Sequence, residues 1–273
     1  MATPAGTPSC SPIPGLPSDT ECVFRIFAAQ ACLRDFVLIG GTAMALQMRH
    51  RLSEDLDFWL PDGRLSDREI RPALNAADRA GLPVHFTTPH HQVTRFRINT
   101  GERLEGYARD YSVGGVKVQF FAPMGQERAN DRFKSFLAVT EAIVVKDAAG
   151  QEVSISFRVM SMDGLFAMKA HAIQRRHRSR DVLDLWHFVK AGRTIADIVD
   201  AGAVASSTAS PGRAIAVLRG EIDLDESDEG FHSLSADVTI ERVRADFHTW
   251  TDEYEQARAS AIKSARAGQA ASE

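Results

Sequence analysis

The sequence predicts an α+β protein in which a sheet flanked by helices fills the first half and the second half is mainly helical. Three observations carry this. Short β-rich runs recur between residues 36 and 159, Ser and Glu stand at capping-box spacing ahead of two of the early helices, and apolar positions follow the helical period from residue 162 onward.

Residues 1–17 hold Pro4, Pro8, Pro12, Pro14 and Pro17 among Ser, Thr and Gly, a composition that buries no core, so this segment is expected to be a disordered tail outside the fold. Ser18 and Glu21 then open a helix whose apolar face carries Val23, Ile26 and Phe27 and which runs to about Leu33. The apolar run Phe36–Ile39 ends at Gly40-Gly41, and Thr42–Met48 is rich in helix formers, which reads as strand, tight turn, helix. Leu56, Phe58 and Leu60 alternate with Asp55, Asp57 and Trp59, giving a strand over 55–60 that Pro61-Asp62-Gly63 stops.

A second capping box, Ser66 with Glu69, begins a helix that ends at Gly81. The runs 84–88, 92–98 and 116–121 extend the sheet, and His90-His91 reads as loop. After a strand at 153–159 come helices at about 162–176, 181–191, 194–201, 211–219 and 238–264, with the acidic stretch Glu221–Glu229 as a solvated loop. The expected organisation is a tail at 1–17, an α/β domain at 18–160 and a helical domain at 161–273.

With 273 residues, 44% hydrophobic, 25% charged and a net charge of −4, the chain is ordinary globular protein. It has no global electrostatic drive toward nucleic acid, so such a partner needs a local basic patch, and one lies near residue 175. Cys10, Cys22 and Cys32 are too few and too close to the N-terminus for a disulfide framework. A reducing cytoplasm is the expected location, since no leader-like segment and no run of about eighteen apolar residues is present.

The chemistry concentrates between Gly40 and Asp57. Glycines between a strand and a helix let the backbone approach a phosphate while the first N–H groups of the helix point at it, and Thr42 adds a hydroxyl. Asp55 and Asp57, two apart on a strand, project to one side and can bind Mg²⁺ jointly. Taken singly, each feature has a plain reading: a glycine turn, and an exposed strand face with Arg49 and Arg51 as partners. Together they make a phosphate cradle beside a metal site.

The pattern Gly40-Gly41-Thr42 followed by His50-Arg51-Leu52-Ser53-Glu54-Asp55-Leu56-Asp57-Phe58 resembles the AbiEii/AbiGii toxin family of nucleotidyltransferases, within the DNA polymerase β-like superfamily. Lys169 and the block Arg180-Asp181-Val182-Leu183-Asp184-Leu185-Trp186 look like that family's downstream lysine and Arg-Asp-x-x-Asp-Leu helix. The resemblance spans roughly residues 20–190. It implies a polymerase β-like core, a small mixed sheet flanked by helices, completed by a helical half, with the cleft between them.

On this reading the catalytic candidates are Asp55, Asp57, Lys169 and Asp184, and Asp55 and Asp57 are the Mg²⁺ ligands. Gly40, Gly41, Thr42, Ser53, Lys169, Arg180 and Asp181 are the nucleotide-binding candidates. Ser53 can equally be a plain strand residue, Lys169 a side chain that reaches solvent past a core-facing helix, and Asp181 a favourable N-terminal helix charge. The run Arg175–Arg180 suits a polyphosphate or an RNA backbone as well as a helix end. The resemblance implies transfer from an NTP to an acceptor hydroxyl, with the tRNA 3′ end as acceptor and an antitoxin as partner. A small-molecule acceptor and a non-catalytic binding domain are the alternatives. One departure stands out: polymerase β-like enzymes often carry a third carboxylate on a later strand, where the run 116–121 offers Gln119.

Overall fold

Apolar side chains alternating along short strands build the first unit around one sheet. The computed structural model describes residues 13, 15–124, 131, 132, 134, 135, 143–146, 152–205, 210–225 and 238–270, and the chain divides into two units, Met1–Leu165 and Phe166–Glu273. In the first, helix α1 (Ser18–Ala28) and a 3₁₀ turn (Ala31–Leu33) precede β1 (Val37–Ile39), α2 (Gly40–Met48), β2 (Leu56–Trp59), α3 (Asp67–Arg79), β3 (Val84–Phe86), α4 (His90–Thr100), β4 (Ala108–Val113) and β5 (Val116–Phe121). The sheet runs β1-β2-β5-β4-β3, with β2 and β5 parallel and the other pairs antiparallel, so it is mixed. One face packs on α1 through a phenylalanine cluster: Phe58 and Phe120 lie 5.4 Å apart between ring centroids, and Phe27 stacks on both.

Three expectations need correction. The run 92–98 is not a strand but the middle of α4, which also takes in His90 and His91. Pro89 at its N-cap and Gly101 in the left-handed region (φ 74°) bracket a helix that meets its own backbone hydrogen bonds without a sheet partner. The missing sheet partner of β5 is β4, a strand with little alternation of apolar residues, joined to β5 through Gly114-Gly115 at φ 58° and 88°. The predicted strand 153–159 is split: β7 (Glu152–Ile155) pairs with β6 (Ile143–Lys146), while Val159 bridges to Leu38 of β1.

The N-terminal segment is also not wholly outside the fold. Ile13 and Leu16 are buried, Gly15 packs against Ala45 of α2, and its carbonyl accepts from Ser53 N at 3.0 Å. Glu21 therefore does not close a capping box on Ser18; its carboxylate accepts from Ile13 N and from Arg25. Residues 1–12 and Pro14 lie outside the described residues, as do Ser227–Glu229 of the acidic stretch and Glu226 before them.

The second unit is helical: the C-terminal part of α5 (Met162–Ala172), then α6 (Ser179–Lys190), α7 (Ile195–Ala205), α8 (Pro211–Arg219) and α9 (Ile240–Ala270). Phe166 packs edge-to-face on Phe188, and Val182, Leu183 and Leu185 of α6 are buried with Phe247 of α9. Among the described residues no helix is long and apolar enough to cross a membrane.

Candidate active site

The first unit assembles its predicted site residues at the start of α2. Gly40 has φ 72°, a conformation that favours glycine, and it sets the helix directly after β1. A Cβ on Gly40 would lie 2.3 Å from Asp57 Oδ2, so the backbone and the carboxylate touch where only hydrogen fits. The next residue faces a different partner, because a Cβ on Gly41 would meet Arg51 Nη2 at 2.5 Å and Ser53 Oγ at 2.9 Å. Thr42 Oγ1 donates to the Asp55 carbonyl and lies 3.0 Å from Ser53 Oγ. Gly40, Gly41, Thr42, Ser53, the Asp55 backbone carbonyl and the Asp57 carboxylate are thus one constellation.

The helix terminus places roughly half a positive charge and its first N–H groups there, and β2 aligns Asp57 with Ile39 on one side and Gln119 on the other. Residues 56, 58, 118 and 120 point into the core, whereas Asp57 and Gln119 are only partly covered on the opposite face. Arg51 was overlooked as a site residue. It is 7% exposed, and its guanidinium sits against Gly41 while Nη1 donates to Leu52 O. The Arg-x-Ser spacing held its signal, since a buried arginine needs partners and its fork of donors suits phosphate.

The Asp57 carboxylate on β2, with Asp55 two residues before it at the entry to the strand, supplies the oxygen donors that a hard divalent cation takes. Among the described residues no group of three or more His, Cys, Asp or Glu gathers as metal ligands.

In the second unit Lys169, Asp181 and Asp184 form a buried network. Lys169 Nζ lies 2.6 Å from Asp181 Oδ1 and 2.7 Å from Asp184 Oδ2. Arg176 Nε, a second overlooked group, donates to Asp181 Oδ2 at 2.6 Å. Lys169 does not reach out to solvent; it is 7% exposed, and Asp184 is fully buried. Burial pushes the Asp181 carboxyl up, but Lys169 and Arg176 outweigh it and hold its pKa below the ordinary aspartate value. Arg180 is half-buried in the first turn of α6, and Arg178 is the N-cap. The basic run therefore spans two helix ends: Arg175 and Arg176 follow the C-terminus of α5, where cations complement the helix dipole, and Arg178 and Arg180 stand at the N-terminus of α6, where they oppose it.

A mixed sheet whose glycine-started helix meets a strand carboxylate is an arrangement suited to holding phosphate and a cation together. The chain belongs to the AbiEii nucleotidyltransferase toxin family of type IV toxin–antitoxin systems, whose family model matches residues 22–260. MenT4, a nucleotidyltransferase toxin from Mycobacterium tuberculosis H37Rv, is similar in structure with a TM-score of 0.50 at 17% identity, over 86% of each chain, which shows a shared fold. JHP933 from Helicobacter pylori is similar with a TM-score of 0.47 at 15% identity, over 92% of this chain and 96% of its own. No curated protein matches by sequence.

Proposed function

We propose that this chain transfers a nucleotide from an NTP to an RNA hydroxyl, the tRNA 3′ end being the acceptor the family resemblance implies, in a Mg²⁺-dependent reaction restrained by an antitoxin. The contact of Gly40 with the Asp57 carboxylate carries this reading, because it puts a phosphate-binding helix terminus and a metal-binding carboxylate at one point. Bound magnesium would neutralise phosphate charge and stabilise the entering and leaving oxygens. Asp55 and Asp57 would hold it. The N–H groups at Gly40, Gly41 and Thr42 orient the phosphates, Arg51 faces them as a fixed positive charge, and Ser53 braces Thr42.

Lys169 and Asp184 are the remaining catalytic candidates, with Arg180 and Asp181 beside them in sequence as nucleotide-binding candidates; their pairing fixes the lysine ammonium in place. The basic run Arg175–Arg180 supports an RNA acceptor over a small hydroxyl compound, since guanidinium groups complement a phosphate backbone. Incubation with each labelled NTP, Mg²⁺ and total RNA tests the proposal. Label in RNA that disappears in Asp57→Ala is the expected result; wild-type protein that labels no RNA under any NTP refutes the acceptor, and label retained by Asp57→Ala refutes the site.

A further inference from the structure

The Asp57 row of the sheet does not end at Asp57. Register places Asp57 opposite Gln119 of β5, and Gln119 opposite Asp110 of β4. Side chains directly opposite share a face, so these three lie side by side on the face away from the phenylalanine core. Gln119 Nε2 donates to Asp110 Oδ1 at 2.6 Å. The backbone of Asp110 is itself anchored, its N–H donating to the buried Thr88 Oγ1 at 2.8 Å and its carbonyl accepting from Thr87 N at 2.9 Å.

An ionised carboxylate only accepts hydrogen bonds, whereas a carboxamide has a donating and an accepting end. Asp110 therefore selects one of the two orientations the Gln119 amide can take, with nitrogen toward β4 and the carbonyl oxygen away from it. The strand on that other side is β2, which carries Asp57. We propose that Asp110 is a positioning residue that holds the Gln119 carbonyl oxygen toward Asp57 as a neutral oxygen ligand for the divalent ion. This inference rests on the metal-site reading of Asp55 and Asp57.

The consequence is electrostatic. Two carboxylates and one amide carbonyl would put two negative charges directly on the ion, while a carboxylate at residue 119 would put a third there, next to Asp110 and facing an incoming triphosphate. Amide carbonyls serve as ligands for hard cations, more weakly than carboxylates. The ion is accordingly held loosely until phosphate oxygens join its ligand set.

Mn²⁺ binding to the full chain without nucleotide, read by electron paramagnetic resonance, tests this apart from activity. Residues that orient a metal ligand typically contribute about 10-fold or more in metal affinity, so Asp110→Asn, which accepts either amide orientation, is expected to weaken Mn²⁺ binding by about that factor. Gln119→Ala should weaken it similarly, and the double variant should be no weaker than Gln119→Ala alone. Combining Asp110→Asn with Gln119→Glu keeps a hydrogen bond of reversed polarity and should bind Mn²⁺ more tightly than wild type. Thermal melts exclude unfolding as the cause. Unchanged affinity in Asp110→Asn, additive losses in the double variant, or no gain in the swapped pair overturns the inference. Asp57→Ala separates the two readings: if wild-type protein binds no Mn²⁺, or Asp57→Ala binds it normally, the metal site itself is wrong.

Discussion

Substituting Gly40 by alanine tests the junction of helix and carboxylate with one methyl group. The new Cβ would lie 2.3 Å from Asp57 Oδ2, where ordinary contact begins at 3.4 Å, so the carboxylate or the start of α2 must shift by about 1 Å. A displacement of about 1 Å at a reacting centre costs on the order of 100-fold in rate, equivalent to about 2.7 kcal/mol of transition-state stabilisation. Stability is affected too, because an alanine held at φ 72° costs about 1–2 kcal/mol relative to glycine. That lowers the melting temperature by only a few degrees in a chain of this size. Labelled-NTP transfer and a thermal melt together read both effects. The expected outcome is a folded protein with roughly 100-fold lower kcat/KM. A Gly40→Ala variant that transfers nucleotide at the wild-type rate refutes the claim that Asp57 and the α2 terminus act as one site. The neighbouring Gly41→Ala is the comparison for backbone strain alone, since Gly41 carries no positive φ and its Cβ meets side-chain atoms of Arg51 and Ser53; its melting temperature should stay closer to wild type.

Three further outcomes follow. Asp181 has a lowered folded-state pKa, so it contributes stability above its unfolded value of 3.8 that is lost as pH falls through the folded pKa; the stability difference between wild type and Asp181→Asn should be constant near neutrality and shrink below about pH 4, and a difference that grows with acidification contradicts the network. Lys169→Met leaves Asp184 beside no lysine in a buried site, and loss of one partner of a buried pair costs about 3–5 kcal/mol; urea unfolding measures it, adding Asp184→Asn should restore part of it, and an unchanged midpoint in Lys169→Met refutes the pairing. Deleting residues 1–17 exposes the surface covering Ile13 and Leu16 and should lower stability by on the order of 2–4 kcal/mol while reducing transfer, because Ser53 N loses the Gly15 carbonyl; a truncated chain with the wild-type urea midpoint contradicts that packing.

The sequence made the Gly40–Asp57 segment legible because its signals are local. Glycine at a strand–helix junction, carboxylates two apart on a strand and Arg-x-Ser spacing all report on contacts within eighteen residues of chain. The helices after residue 162 were legible for the same reason, their apolar period lying within each helix. What failed depends on partners far along the chain. The run 92–98 has β-branched and aromatic residues that suit either a strand or a helix, and no neighbouring strand was there to decide it. β4 carries Asp110 and Ser112 on its outer face and Arg109 on the face of Tyr111 and Val113, so composition hid it, although Gly114-Gly115 marked its hairpin. Leu16 and Ile13 lie among prolines, and their burial goes with contacts further along the chain, where Gly15 meets Ala45 and the Ile13 N–H donates to Glu21. Gln119 stands out in the sequence only as a departure from a third carboxylate, and its hydrogen bond to Asp110 depends on the strand β4 that the composition hides.

The charge order at the start of α2 follows from two adjacent glycines facing opposite ways. Gly40 abuts an anion, Asp57, while Gly41 abuts a cation, Arg51. A metal–triphosphate complex has the complementary order, a cation beside its phosphates. Neither contact survives a side chain: a methyl at Gly40 displaces the carboxylate that faces the metal, and one at Gly41 displaces the guanidinium that faces phosphate. The two glycines are therefore not interchangeable spacers for a tight turn. Their loss should separate in experiment, Gly40→Ala acting through metal binding and Gly41→Ala through affinity for the triphosphate, because each holds open the place of a different charge.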